Sequence, residues 1–99
     1  MVESRREVLG QEQVQLIAKA LADPRRYEIL RKLGECERAL RCETMRGCME
    51  ISPATLSHHM KELETAGLIH VKREGKFASY LLRREVLEAY FERVKSDLI

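Results

Sequence analysis

What this sequence has little of narrows its possibilities first. No run of apolar residues approaches the roughly 20 needed to cross a bilayer as a helix, so no membrane partner is expected. The three cysteines, Cys36, Cys42 and Cys48, are odd in number and never form a Cys-x-x-Cys pair. That argues against both a secreted disulfide framework and a zinc-finger spacing. The opening residues Met1-Val2-Glu3-Ser4-Arg5-Arg6-Glu7 are polar, unlike a secretory leader, and a cytoplasmic location is expected. There is no glycine-rich phosphate loop and no dinucleotide fingerprint. Ser57-His58-His59 superficially suggests a nucleophile and base, but adjacent side chains on a helix diverge by about 100° and form no relay. An enzyme is therefore not expected. A large charge of one sign is also lacking. The net charge is +2, so bulk basicity does not point to nucleic acid.

What is present is enough for one folded unit. Ninety-nine residues, 44% hydrophobic and 34% charged, describe a single domain over 1–99 with no internal repeat. The small basic excess is local. Residues 24–46 hold seven basic and four acidic side chains, and residues 52–83 hold five and three. Residues 84–99 reverse the balance, with three and four. A DNA-facing surface would thus depend on geometry and on pairing two copies.

The pattern is mainly α with one β-hairpin. A first helix is expected over 11–22, with Val14, Ile17, Ala18 and Leu21 on one face. Asp23 caps a second helix that Pro24 starts. It buries Tyr27, Ile29, Leu30 and Leu33, and stops near Gly34. Residues 35–38 connect to a short helix over about 39–48, and residues 49–51 turn into the next. A final helix runs over about 84–97.

The most informative stretch lies over 52–69. Ser52 is a good N-cap and Pro53 suits the first helical position, where its missing N–H costs nothing. Leu56, Met60 and Leu63 share one stripe. Ser52, Ala54, Thr55, Ser57 and His58 are small or hydrogen-bonding, with no carboxylate until Glu62, and Lys61 follows on the exposed side. Such a helix start can enter a DNA major groove without steric block or repulsion of phosphate. His59 lies beside the apolar stripe and is read as mainly structural, as is His70, if not simply exposed. Gly67 can end the helix in a left-handed cap. Residues 68–82 then alternate as a hairpin turning at Gly75, with Lys72, Arg73 and Lys76 near its tip against Glu74. Helix followed by a basic-tipped hairpin is the pattern of a winged helix-turn-helix, here about five helices plus a two-stranded wing. On it, Thr55, Ser57 and His58 are candidates for base edges or nearby phosphates. Lys61 suits a phosphate, and the wing cations suit the backbone or minor groove.

The sequence also resembles a known family. Leu21-Ala22-Asp23-Pro24-Arg25-Arg26-Tyr27-Glu28-Ile29-Leu30 looks like the L-x-D-P-x-R-x-x-I-L opening of ArsR-type winged-helix repressors. Thr55-Leu56-Ser57-His58-His59-Met60 resembles that family's recognition helix, S-x-x-T-x-S-x-H-L. Ala66-Gly67-Leu68-Ile69 and Arg73-Glu74-Gly75-Lys76 look like its helix exit and wing. The resemblance spans roughly 15–95. It implies a homodimeric bacterial transcriptional repressor that binds a double-stranded DNA operator and releases it when an inducer binds. The alternative is a constitutive or protein-regulated winged-helix DNA-binding factor without a metal or redox inducer.

The end helices point to the homodimer independently. Val86, Leu87, Tyr90, Phe91, Val94 and Leu98 form a wide apolar stripe, and Val14, Ile17 and Leu21 add another. A small domain cannot easily cover both, whereas two-fold packing of terminal helices would. Completion of a monomer core by the last helix is the competing possibility. Two recognition helices in such a dimer would meet an inverted repeat at a spacing of about 34–36 Å.

No cofactor is required by the pattern. Thiolates at Cys36, Cys42 and Cys48 could bind a soft metalloid or metal, or be oxidised. Arsenic-responsive members of the family carry a C-x-C-x-x-C-type cluster on the helix before the recognition helix. Here the intervals are six residues, about 600° of helical turn, so Cys42 and Cys48 would face apart unless Cys48 lies past the helix end or ligands come from both subunits. Cys42 could equally be a small buried hydrophobe, with Cys36 and Cys48 incidental. A second metal site of the family, on the final helix, uses Asp and His. Residues 84–99 have no histidine, and no zinc is expected there.

Overall fold

The computed structural model describes residues 8–36, 40, 41, 44, 45, 47 and 49–99, with the backbone alone at 40 and 41. Two helices come first, α1 (Gln11–Ala22) and α2 (Pro24–Gly34). They meet at Asp23, which is the C-cap of one and the N-cap of the other. Its extended backbone (φ −88°, ψ 123°) breaks the helix, and its carboxylate accepts from the amides of Arg25 (2.8 Å) and Arg26 (3.1 Å). Those are two of the orphan donors that any helix start must satisfy. A short strand follows, β1 (Leu40–Arg41), then helical backbone at Thr44, Met45 and Gly47. Next come α3 (Pro53–Thr65), the hairpin β2 (Ile69–Glu74) and β3 (Phe77–Leu82), and α4 (Arg84–Leu98).

The winged helix-turn-helix architecture is as expected, with three differences. The segment expected as helix from residue 39 contains β1 instead. It pairs antiparallel with β3, Leu40 opposite Tyr80 and Arg41 opposite Ser79, making a three-stranded sheet in the order β1-β3-β2. Two residues are too few to show a period of two, so only the non-local pairing defines this strand. The rest of the expected 39–48 helix lies partly outside the described residues (39, 42, 43, 46 and 48), as do 37 and 38 of the connection before it. Second, Tyr27 is not buried. It is 54% exposed, because Ile29, Leu30 and Leu33 take the inward arc of α2. Third, α2 includes Gly34 and closes at Glu35, whose amide donates to the Arg31 carbonyl while the Cys36 amide donates to that of Leu33, both at 3.1 Å.

One core joins these elements. Ile17, Ile29, Leu33, Met45, Leu56, Leu63, Leu68 and Val86 are fully enclosed, so every described helix contributes to the same apolar cluster. Each such side chain contributes about 1.5–3 kcal/mol by leaving water. The exit from α3 is held with similar care. The Gly67 amide donates to Glu64 and the Leu68 amide to Leu63, with Gly67 at φ 81°, which is the Schellman arrangement. The Gln13 side chain on α1 donates to the Ala66 carbonyl at 3.2 Å, fastening the end of α3 to the first helix. A Cβ at Gly67 would lie 2.6 Å from Gln13 Nε2. Gly67→Ala should therefore lower stability by about 1–3 kcal/mol, from left-handed backbone strain and loss of the Gln13 bond. Urea unfolding of the variant beside the wild type measures this, and an unchanged midpoint would contradict it.

Candidate nucleic-acid interface

α3 presents two sharply different arcs. Leu56, His59, Met60 and Leu63 point inward and are buried. Ala54, Thr55, Ser57, His58 and Lys61 are all exposed, on an opposing arc of about 160°. The start of the helix is built by Ser52, whose hydroxyl oxygen accepts from the Thr55 amide (3.2 Å) while its proton goes to Thr55 Oγ1 (2.8 Å). Ser52 is thus engaged as the cap, and the Thr55 hydroxyl keeps its own proton to offer outward. There is no acidic residue in the first turn. The rim that would meet phosphate therefore carries amides and hydroxyls at the positive end of the helix dipole.

The wing rises beside this helix. Glu74 pairs with Phe77 across a two-residue turn. Gly75 has φ 59° and Lys76 a negative φ, the pattern of a type II′ turn. Lys72, Arg73 and Lys76 are exposed. Arg73 lies 3.7 Å from Glu64 on α3, and Lys72 lies 3.8 Å from Glu74. Exposed pairs of this kind are worth at most about 1 kcal/mol, so a phosphate can displace the carboxylates. The Glu64–Arg73 distance shows β2 lying beside the end of α3. Register places Phe77, Ser79 and Leu81 opposite Glu74, Lys72 and His70 on the outer face of the hairpin. His70 is exposed there. Phe77 is 47% exposed at the wing tip next to Lys76.

Two arginines missing from the expected site hold it in place. Arg25 Nη2 donates to the Glu50 carbonyl at 3.0 Å, fixing the chain just before the Ser52 cap. Arg26 Nε and Nη2 donate to the carbonyls of Ala20 and Lys19, both at 3.3 Å, and Nη1 lies 3.9 Å from the Asp23 carboxylate. Nη1 also faces His59 Nδ1 at 3.5 Å. The Asp-Pro-x-Arg spacing could signal the ion pair three residues apart, but not the reach to α1 and α3. The structural role read for His59 is found. Its ring is 8% exposed beneath the exposed His58, with the two ring centroids 5.8 Å apart.

Among the residues expected at a dimer interface, Ile17 and Val86 need correction. Both are fully enclosed within a single chain, so they belong to the protomer core and offer no surface. Val14, Leu21, Leu87, Tyr90 and Val94 are half-buried. Phe91 is 58% and Leu98 78% exposed, and the Phe91 ring meets Tyr90 edge-on at 5.6 Å. Arg93 donates to the Leu9 carbonyl at 2.8 Å, joining α4 to the segment just before α1. Of the three cysteines, Cys42 and Cys48 lie outside the described residues. Cys36 is a half-buried free thiol whose carbonyl accepts from Arg84 at 3.0 Å.

Residues 21–72 match the family model described as a helix-turn-helix domain. The chain is also 34% identical, over 80 residues, to the arsenical resistance operon repressor of Staphylococcus xylosus, a match covering 81% of this chain and 75% of that protein. The chain belongs to the ArsR family of winged-helix transcriptional regulators. A similar solved structure is the homodimeric winged helix-turn-helix DNA-binding domain of a possible ArsR-family regulator from Mycobacterium bovis. It is 27% identical, with a TM-score of 0.69, over 87% of this chain and 80% of that one. An ArsR-like regulator from Rhodococcus sp. RHA1 shares the fold at TM-score 0.76 and 20% identity, over 86% of this chain and 78% of that one. As an ArsR-family regulator this chain is a DNA-binding protein of a non-enzymatic family. No helix among its described residues is long and apolar enough to cross a membrane.

The ionisable groups behind α3 have defined states. Asp23 is held below the usual carboxylate value, chiefly by the Arg26 amide it accepts from, with the Arg25 amide and the Arg26 charge adding to this against some loss of solvation. His59 is held below the ordinary histidine value of 6.5 by burial, and the Arg26 charge acts the same way while Asp23 opposes it. Below pH 6.5 the unfolded chain gains a proton at His59 that the folded chain resists. This contribution to stability is therefore fully present above that pH and declines as pH falls toward the folded value. Thermal midpoints followed downward from neutral pH should fall more steeply for the wild type than for His59→Gln. Parallel curves would show that His59 does not carry the linkage.

Proposed function

We propose that this regulator is a cytoplasmic homodimeric repressor that reads an inverted-repeat operator and lets go when an inducer binds. The observation that carries the proposal is the capped, acid-free start of α3, with Ala54, Thr55, Ser57 and His58 exposed over a buried stripe, together with exposed cations at Lys61 on the same helix and Lys76 on the wing. Thr55, Ser57 and His58 supply hydrogen-bonding groups for base edges, while Lys61 and the wing cations hold phosphates. The homodimeric state of the Mycobacterium bovis domain supports a dimer here, and so does the apolar face around Phe91 and Leu98. Repression is supported by the name of the Staphylococcus xylosus relative.

The wild-type chain should sediment as a dimer and select one palindromic duplex from fragments of its own genome. Lys61→Ala combined with Lys76→Ala should weaken binding to all duplexes alike. Each protomer then leaves two phosphates without a cation, and the slope of log affinity on log salt shrinks by about 0.9 for each of them. A monomer at micromolar concentration with no preferred duplex would overturn the proposal, and an unchanged slope would remove these lysines from the DNA backbone.

An inducer acting at Cys36, Cys42 and Cys48 would be a soft metalloid, a metal ion or a thiol oxidant, because thiolates favour soft acceptors and oxidise. Arsenite or a mild oxidant should then release the wild type from its operator but not a variant with all three cysteines replaced by serine. Equal release from both would remove the cysteines from the mechanism, and release from neither would favour the constitutive or protein-regulated alternative.

A further inference from the structure

At the junction of α1, α2 and α3 lies a side chain whose placement the exposed α3 arc does not explain. Arg26 is only 15% exposed at its side chain, although arginine is among the residues least often buried. Its guanidinium spans three elements, with the Lys19 and Ala20 carbonyls of α1, the Asp23 cap of α2 and the His59 ring of α3 all within 3.9 Å. Those α1 carbonyls belong to its last turns, the negative end of the helix dipole, where a cation is favoured. A guanidinium has donors only. The ring nitrogen that faces it, Nδ1 of His59, must therefore be the acceptor, and the proton of the neutral ring sits on Nε2.

We propose that Arg26 is a positioning residue for DNA reading, setting the roll of α3 about its axis through His59. The role rests on the operator-binding function proposed above. The leverage is geometric. His59 points inward and His58, one residue earlier, points out, so gripping one ring sets the direction of the other. A roll of about 10° moves side-chain tips on a helix of about 10–12 Å diameter by about 1 Å. That displacement exceeds the tolerance of a hydrogen bond to a base edge, whose heavy-atom distances span only about half an ångström. Phosphate contacts through flexible lysine stems absorb it. Loss of the grip should thus cost selectivity before it costs general affinity. Lysine keeps the charge, but as a single point donor it cannot reach Ala20, Lys19 and His59 together.

The test combines nitrogen NMR of the His59 ring with binding to the selected operator and to random duplex. Wild type, Arg26→Lys, Arg26→Met and His59→Gln are compared. The wild-type ring should show the Nε2–H tautomer, and Arg26→Met should lose that bias. Both Arg26 variants should lose about tenfold in the ratio of operator to random affinity, on the scale of one poorly read base pair, with random affinity nearly unchanged. His59→Gln, whose amide oxygen can accept from the guanidinium, should retain most of the ratio. An unchanged ratio in folded Arg26→Lys would overturn the role, as would an Nδ1–H tautomer in the wild type. If Arg26→Met fails to fold, Arg26→Lys decides alone. A wild-type chain with no preferred duplex would defeat the operator function and this role with it. A ratio lost only in the Arg26 variants cannot arise in that way.

Discussion

The Arg26 guanidinium, largely covered where three helices meet, is the interaction on which the mutual placement of α1, α2 and α3 depends. Burying a cation is costly unless its donors are met, and here they are directed at two helix-end carbonyls, a cap carboxylate and a ring nitrogen. Individually these contacts are long. Together they fix the ends of α1 and α2 and the middle of α3 relative to one another. Arg25 on the Glu50 carbonyl and Gln13 on the Ala66 carbonyl secure the two ends of α3 in the same way. The helix proposed to read DNA is thereby held at its entry, its centre and its exit by polar side chains, over a stripe of Leu56, Met60 and Leu63 that holds it to the core.

Much of this was legible in the chain because the decisive signals are local. Ser52-Pro53 marks a helix start, Gly67 a left-handed exit, and Gly75 a hairpin turn. Each depends on the chemistry of one or two residues and is found where expected. The alternation of inward Leu56, Met60 and Leu63 with outward Ser57, His58 and Lys61 follows from helical periodicity alone. What was not legible depends on contacts between distant segments. β1 exists only through its pairing with β3, and two residues carry no periodic signature. Arg26 could be read as a surface cation of α2, since nothing in its neighbours announces α1 or α3.

The apolar residues of the terminal helices show the same division. A stripe at helical spacing reports that one face avoids water, but not whether the partner is the same chain or another. The structure divides the stripe. Ile17 and Val86 close the protomer's own core, while Phe91 and Leu98 remain outward. The apolar surface continues past what one small core can cover, as the proposed dimer would require.

The strand order has a further consequence for solubility. β3 lies in the middle of the sheet, paired along its whole length with β2 and at Ser79 and Tyr80 with β1. One outer strand is two residues long, too short to template another chain. The other carries Lys72, Arg73 and Glu74 along its length, and charge there opposes edge-to-edge growth into aggregates. The cations suited to phosphate would thus also keep a crowded population of these proteins from stacking sheet against sheet.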